Sequence, residues 1–291
     1  MILSVIIRCK DEQKFIGSVL EKVFQQDFGH PFEVIIIDSG SKDRTLEIVK
    51  EYPIRCYKIQ PQSFTFGYAL NYGARKAQGE HLVFLSAHCI PTDKEWLSNL
   101  IKSLQENEEI AATFGRQEPI RELNPFEEIG LFYDFPTSPF LHPKPIFSNA
   151  NCAIRKIVWE KHPFDEIIPF AEDKLWAENL PPHFKIKYVF EASVYHSHSL
   201  YLKYWAKRFF CDGCAEKYIS RFWKSQKKEQ KNATSSLCEE LWVNLNYLLN
   251  HHYYKHIFYL PVFIILKKIS YQAGFNLKIS EKMVAPKVIK W

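Results

Sequence analysis

Glu33-Val34-Ile35-Ile36-Ile37-Asp38-Ser39-Gly40-Ser41 decides the fold class. Its apolar run has strand length, β-branched composition and no polar alternation, as expected of a strand covered on both faces in a parallel sheet. It ends at once in a turn rich in hydrogen-bonding groups. His81-Leu82-Val83-Phe84-Leu85 repeats the pattern and runs into Ser86-Ala87-His88. In open α/β sheets, ligands bind beyond the carboxyl ends of parallel strands. Both strand ends are therefore places where ribose, phosphate or a metal could sit.

Outward from these two runs, residues 1–115 alternate strand and helix patterns. Strands are expected at 2–8, 33–38, 54–59, 81–86 and 110–115, and helices near 12–26, 43–51, 67–78 and 93–106. Alternation with short connections predicts a parallel sheet with right-handed crossovers. Thr92 and Glu95 have capping-box spacing just ahead of Trp96, which starts the fourth helix. Residues 116–150 hold six prolines and little periodicity, and read as a loop-rich segment over the active edge. Helices near 155–161 and 171–179 and strands near 185–195 follow.

At 291 residues, 46% hydrophobic and 24% charged, the chain can bury a full core and is not a disordered protein. The opening Leu3-Ser4-Val5-Ile6-Ile7 carries neither a basic region nor a small-residue cleavage site. The seven cysteines are an odd number and scattered, which fits reduced thiols, so a cytoplasmic protein is expected. The net charge of +5 conceals an asymmetry: residues 201–291 carry 16 Lys and Arg against 6 Asp and Glu, while residues 1–200 are net negative. That last region reads as helical, aromatic and basic. Its most apolar run, Ile257 to Leu266, is half the roughly 20 residues that cross a bilayer. Two readings of it stand: a helix lying in a membrane interface with Lys267 and Lys268 at the headgroups, or a helix capping the core.

Four ordered segments carry the chemistry. They are Arg8-Cys9-Lys10-Asp11-Glu12 at the first strand end, Asp38-Ser39-Gly40-Ser41-Lys42-Asp43-Arg44-Thr45, Ala69-Leu70-Asn71-Tyr72-Gly73-Ala74 through Gly79-Glu80, and Ser86-Ala87-His88 through Pro91. As a set they resemble the family 2 glycosyltransferases, and the stretch from Gln62 to Tyr68 resembles its rhamnosyltransferase subgroup. The resemblance covers residues 2 to 215. It implies a GT-A fold, a Rossmann-like α/β mixed sheet flanked by helices, at residues 1–200. Within it, 1–115 would form the nucleotide-binding half and 116–200 the acceptor half, with 201–291 a helical appendage.

The implied activity is transfer of a sugar, with inversion, from a UDP- or dTDP-sugar to a hydroxyl of a growing cell-surface glycan. The implied nucleotide contacts are Arg8, Asp38, Ser39, Gly40, Asn71, Ser86 and Ala87. A carboxylate such as Asp38 can accept from a base N–H or a ribose hydroxyl, whereas Asp43 reads as part of the next helix start. Ser86-Ala87-His88 stands where the family has D-x-D, whose last carboxylate holds a divalent cation. His88 as an imidazole ligand, with His198 after the 185–195 strand, favours Mn²⁺ over Mg²⁺; His88 as a direct phosphate donor is the other reading. Glu172-Asp173 matches the family's acidic pair, with Asp173 as general base and Glu172 as its orienting neighbour. Asn149 and Asn151 are the implied sugar or acceptor contacts, and strand parity leaves open which faces inward.

Cys211-x-x-Cys214, expected on a helix interrupted by Gly213, forms with His196 and His198 a rival zinc set, weighed against plain helix packing. The acceptor is expected to be a glycan or lipid-linked glycan, met at the inner face of an anionic membrane; nucleic acid is not expected as a partner. The alternative function is a non-catalytic nucleotide-sugar-binding protein on the same fold.

Overall fold

The protein is described here from a computed structural model covering residues 3–120, 125–137, 146–168, 170–196, 198, 202–225 and 237–277. The elements in chain order are β1 (Leu3–Cys9), α1 (Ile16–Phe24), β2 (Phe32–Asp38), α2 (Thr45–Val49), β3 (Arg55–Lys58), α3 (Phe66–Lys76), β4 (His81–Ser86), β5 (Ile90–Pro91), α4 (Trp96–Glu106) and β6 (Ile110–Glu118). Then come α5 (Pro125–Asp134), β7 (Asn151–Arg155), α6 (Lys156–Lys161), α7 (Glu172–Asn179), β8 (Lys185–Tyr195), α8 (Leu202–Ser225), α9 (Leu237–Asn250), α10 (Tyr254–Ile257) and α11 (Leu260–Asn276). Position 2, residues 121–124 and 138–145 of the 116–150 segment, and residues 201, 226–236 and 278–291 of the basic region lie outside the described residues.

The strands form one eight-stranded sheet in the order β3-β2-β1-β4-β7-β6-β8-β5. Its first half, β3-β2-β1-β4, is parallel. The sheet as a whole is mixed, because β7 runs antiparallel to both β4 and β6 and β5 runs antiparallel to β8. Two apolar layers cover the sheet, one built on α1 and α4 and the other on α3, α6 and α7. Residues 34–37 and 82–85 are consequently buried on both faces, and their sequence shows no polar alternation.

The small residues of the third segment have a packing reason. Ala69, Ala74 and Ala77 are buried, and a Cβ on Gly73 would meet Ile6 and Ile37. Only this helix face lets α3 settle so closely on β1 and β2.

Three expectations are corrected. The 116–150 segment is not all loop, because α5 lies within it. Its inward face carries Glu127 and Glu128, which breaks the apolar period by which a helix is read. Thr92 does not cap α4; its hydroxyl bonds Ser193, and Asp93 accepts from the Glu95 backbone N–H instead. Nor does Gly213 interrupt a helix, since α8 runs unbroken from 202 to 225.

Gly213 works instead as a notch. A Cβ on it would fall far inside contact distance of the Tyr271 carbonyl, and one on Gly274 likewise against the Phe210 carbonyl. The α8–α11 crossing is thus set by two reciprocal glycines, with Cys214 Sγ 3.4 Å from the Gly274 carbonyl oxygen. Cys211 and Cys214 are buried along this crossing and belong to helix packing, away from the histidines.

A glycine-to-alanine change on a free helix surface would stabilise by about 1 kcal/mol. Gly213→Ala should do the opposite and cost about 1–3 kcal/mol by overpacking. A thermal melt of the variant checks this, and a melting temperature at or above wild type would contradict the notch.

Candidate active site

A cleft of about 1940 Å³ opens beyond the carboxyl ends of β1 and β4, lined by Arg8, Ser39, Ser86, His88, Glu172, Asp173 and Arg208 among others. Three histidines stand together on one of its walls: His88, two residues past β4, and His196 and His198, just past β8. One ring nitrogen from each lies within 4.8 Å of the other two. Their outer nitrogens are occupied by acceptors. His88 Nδ1 lies 2.9 Å from Glu12 Oε1, His196 Nδ1 2.5 Å from Gln117 Oε1, and His198 Nδ1 2.5 Å from Glu127 Oε1.

An acceptor thus stands on the Nδ1 of each ring, and the other ring nitrogens turn inward. His88 Nε2 and His196 Nε2 face one another at 3.2 Å, within hydrogen-bond distance. A second proton is disfavoured, since burial first, and then the neighbouring imidazoles and the Arg208 and Arg8 guanidiniums, hold His196 and His198 well below the ordinary imidazole value. Converging imidazole nitrogens with their second shell in place fit a divalent cation, and imidazole donors suit Mn²⁺ and its later neighbours better than Mg²⁺.

His196 is placed by a sheet irregularity. The β6–β8 register shifts between Gly115 and Gln117. Asn151, fully buried, locks it: its Nδ2 donates to the Ala192 and Arg116 carbonyls, and its Oδ1 accepts from the Trp96 indole. The shift sets Gln117 beside His196, whose N–H bonds the Glu118 carbonyl at 2.7 Å.

The acidic pair opens α7. Ala171, just before it, sits at φ 62°, a left-handed conformation that a non-glycine residue adopts at a cost of about 1–2 kcal/mol. Glu172 is buried and its Oε1 accepts from Asn149 Nδ2 at 2.7 Å. Asp173 is half-buried, and its two oxygens accept from the backbone N–H groups of Lys174 at 2.8 Å and Asn149 at 3.2 Å. Burial and then the Asp173 charge push Glu172 up to about 7. Asp173 is raised by burial, but less freely, because two N–H donors and the Arg8 and Arg208 charges oppose the rise. Asp173 is thus the carboxylate more readily ionised, and it borders the cleft.

Two guanidiniums share that cleft. Arg8 reaches Ser86 Oγ at 3.3 Å and lies 4.4 Å over the Phe66 ring. Arg208, from α8, stacks 4.8 Å over Phe170 and lies 3.8 Å from Asp212.

Of the residues expected at the nucleotide, Arg8, Ser39 and Ser86 line the cleft. Asp38 is turned into its own loop, where it accepts from the Gly40 and Ser41 N–H groups at 3.1 Å; Gly40 at φ 96° permits that turn. Ala87 is buried in the apolar core behind β4.

Asn71 is consumed as a latch. It accepts from the Trp159 indole and the Phe164 N–H and donates to the Phe164 carbonyl and Glu166, tying α3 to the segment that leads into α7. The Asn71 amide is fully used and both Asn151 amide N–H bonds are spent, so each positions structure around the cleft. Asn149 lines the cleft beside Glu172; it precedes β7, so strand parity does not relate it to Asn151. Asp43 bonds the Gln13 and Thr45 N–H groups, as a helix-start residue should.

Sequence reasoning assigned no site role to Arg208, Glu12, Gln117 or Glu127, and weighed His196 only with the cysteines or as an alternative to His198. The polar face of α5 was the available signal for Glu127.

The raised Glu172 has a consequence for stability. Its folded state holds a proton that the unfolded chain, with a pKa near 4.3, gives up, so its contribution is present at acid pH and lost as pH rises toward about 7. Glu172→Gln keeps the bond to Asn149 without that loss. The variant's melting temperature relative to wild type should therefore be higher at pH 8 than at pH 5. A difference independent of pH would contradict the buried, proton-holding carboxyl.

The profile of Glycosyl transferase family 2 matches residues 4–162. The chain is 30% identical over 203 residues to O-antigen chain rhamnosyltransferase WbaN of Salmonella anatum, covering 65% of this chain and 64% of that protein. It is 27% identical over 227 residues to O-antigen chain rhamnosyltransferase RfbN of Salmonella typhimurium, covering 73% and 72%. Among solved structures, mannosyltransferase PcManGT from Pyrobaculum calidifontis, in complex with GDP-Man and Mn²⁺, superposes with a TM-score of 0.61 at 16% identity over 93% of this chain and 86% of that one. Glucosyl-3-phosphoglycerate synthase from Mycobacterium tuberculosis, with Mn²⁺, UDP and phosphoglyceric acid, gives 0.56 at 17% identity over 79% and 80%. The mixed sheet with its flanking helices is the GT-A fold of these structures, and the chain belongs to glycosyltransferase family 2.

Proposed function

We propose that the protein transfers a sugar from a UDP- or dTDP-sugar to a hydroxyl of a growing cell-surface polysaccharide, inverting the anomeric carbon. The single observation that carries this is the half-buried Asp173, held by two backbone N–H groups in the same cleft as three inward-facing imidazoles and two guanidiniums. Family membership and the two O-antigen relatives support the polysaccharide setting. Residues 1–115 would carry the donor side, residues 116–200 the acceptor side, and the helices from 201 on the outer wall.

The cleft suits each part of such a displacement. Arg8, Ser39 and Ser86 border the strand ends where the diphosphate belongs, and Arg208 faces the cleft from α8. His88, His196 and His198 would hold a divalent cation, Mn²⁺ in preference to Mg²⁺, which supplies counter-charge to a departing diphosphate. Asp173 takes the proton from the acceptor hydroxyl as its oxygen bonds to the anomeric carbon, while the carbon–oxygen bond to the diphosphate breaks on the opposite face. Asn149 and the neutral form of Glu172 supply hydrogen bonds at the acceptor side.

A non-catalytic nucleotide-sugar binder draws support from Ser86, which stands where the family has a carboxylate. The same experiment separates the two. Asp173→Asn should retain nucleotide-sugar binding by calorimetry and lower the transfer rate by roughly 10² to 10⁴. Undiminished transfer by the variant would remove Asp173 from the chemistry. Wild-type protein that binds donor and transfers nothing to any glycan acceptor would favour the binder.

A further inference from the structure

Helix α11 has apolar side chains on both of its sides. Leu260, Phe263 and Ile264 are buried, Leu260 and Ile264 in a cluster with Ile129, Tyr247 and Leu248, and Phe263 and Ile264 line the cleft. The opposite side is apolar too, and it faces out. Phe258, Tyr259, Val262, Ile265 and Ile269 are 53–85% exposed. Phe258, Val262, Ile265 and Ile269 recur at steps of four, three and four residues. The backbone stays helical through Phe258 and Tyr259, so these side chains share one face.

A helix that is apolar all round is ordinarily buried, and a contiguous exposed apolar stripe marks a surface that meets something. No helix among the described residues is long and apolar enough to cross a membrane. The stripe must therefore be covered from the side.

Its surroundings select the occupant. No Asp or Glu occurs from 241 to 277, while Lys255 and Lys268 are exposed on α10 and α11. Two copies meeting through this face would bring lysines against lysines. Aliphatic side chains in a row, with tyrosines at positions 254 and 259 and lysines beside them, match an interface whose apolar layer lies beneath anionic headgroups. We infer that the outer face of α10–α11 seats the protein on an anionic bilayer surface. The helix that meets the lipid is the one whose inner side chains wall the cleft, so docking and the active site share a single rigid element. The inference does not depend on the transferase reading, because vesicle binding is measured without any sugar.

The test is flotation of the full chain with phosphatidylcholine vesicles, with and without phosphatidylglycerol. Binding should require the anionic lipid and weaken as salt rises. Ile265→Glu combined with Ile269→Glu should lower the partition coefficient at least about tenfold, since each isoleucine would otherwise be buried in the interface. Both positions are exposed, and an unchanged melting temperature checks that the variant folds. Lys255→Glu combined with Lys268→Glu, which leaves the apolar residues in place, should also release the protein from anionic vesicles. Equal recovery with neutral and anionic vesicles, or full binding by either double variant, would overturn the inference. So would a concentration-dependent dimer that the isoleucine pair abolishes, which would make a second copy the occupant.

Discussion

The structure depends on the convergence of three imidazoles. Glu12, Gln117 and Glu127 take the outer nitrogens of His88, His196 and His198, and the inner nitrogens face one another. Behind His196, Gln117 Nε2 is a buried polar atom without a partner among the described residues, a state that costs about 1–3 kcal/mol. Elements across the sheet contribute to the cluster. Glu12 follows β1, His88 follows β4, Gln117 sits at the β6 shift, the other two histidines follow β8, and Glu127 lies on α5. A convergence this widely supported is intelligible if a cation completes it.

The same logic runs through the acidic side of the cleft. Asn71 and Asn151 are buried asparagines bonded within the fold, one fixing the segment before α7 and the other fixing the sheet shift before His196. Neither needs to touch a ligand to matter, because each positions a residue that borders the cleft. Ala171 stores local strain at the point where Glu172 and Asp173 enter the cleft, and the surrounding hydrogen bonds hold it there. The glycine-notched α8–α11 crossing then brings Arg208 and Phe263 over the same space.

Much of this was legible in the chain. The doubly covered strands read correctly because burial on both faces leaves an unbroken apolar run, as at 34–37 and 82–85. Family resemblance led to Asp173 and His88, and the structure sets both in one cleft. What could not be read are the places where function or tertiary contact overrides pattern. α5 was missed because Glu127 and Glu128 occupy its inward face, bonded to His198 and to the Tyr253 hydroxyl. That Asn71, Asn151 and Asp38 bond within the fold could not be read, because a polar residue at a strand end or beside a pocket looks the same in sequence whether its bonds go to substrate or to backbone. The Ile257–Leu266 run left two readings open because it serves two sides at once, with Phe263 and Ile264 inward and Val262 and Ile265 outward.

The most direct measurement is calorimetric titration of the metal-free protein with Mn²⁺, in wild type and in His196→Ala, with no nucleotide present. Three converging imidazoles predict one Mn²⁺ per chain, binding tighter than Mg²⁺ and weakened at least about tenfold by the loss of His196. Absence of Mn²⁺ binding by the wild-type protein, or binding that the variant retains in full, would contradict the reading of the histidine cluster as a cation site.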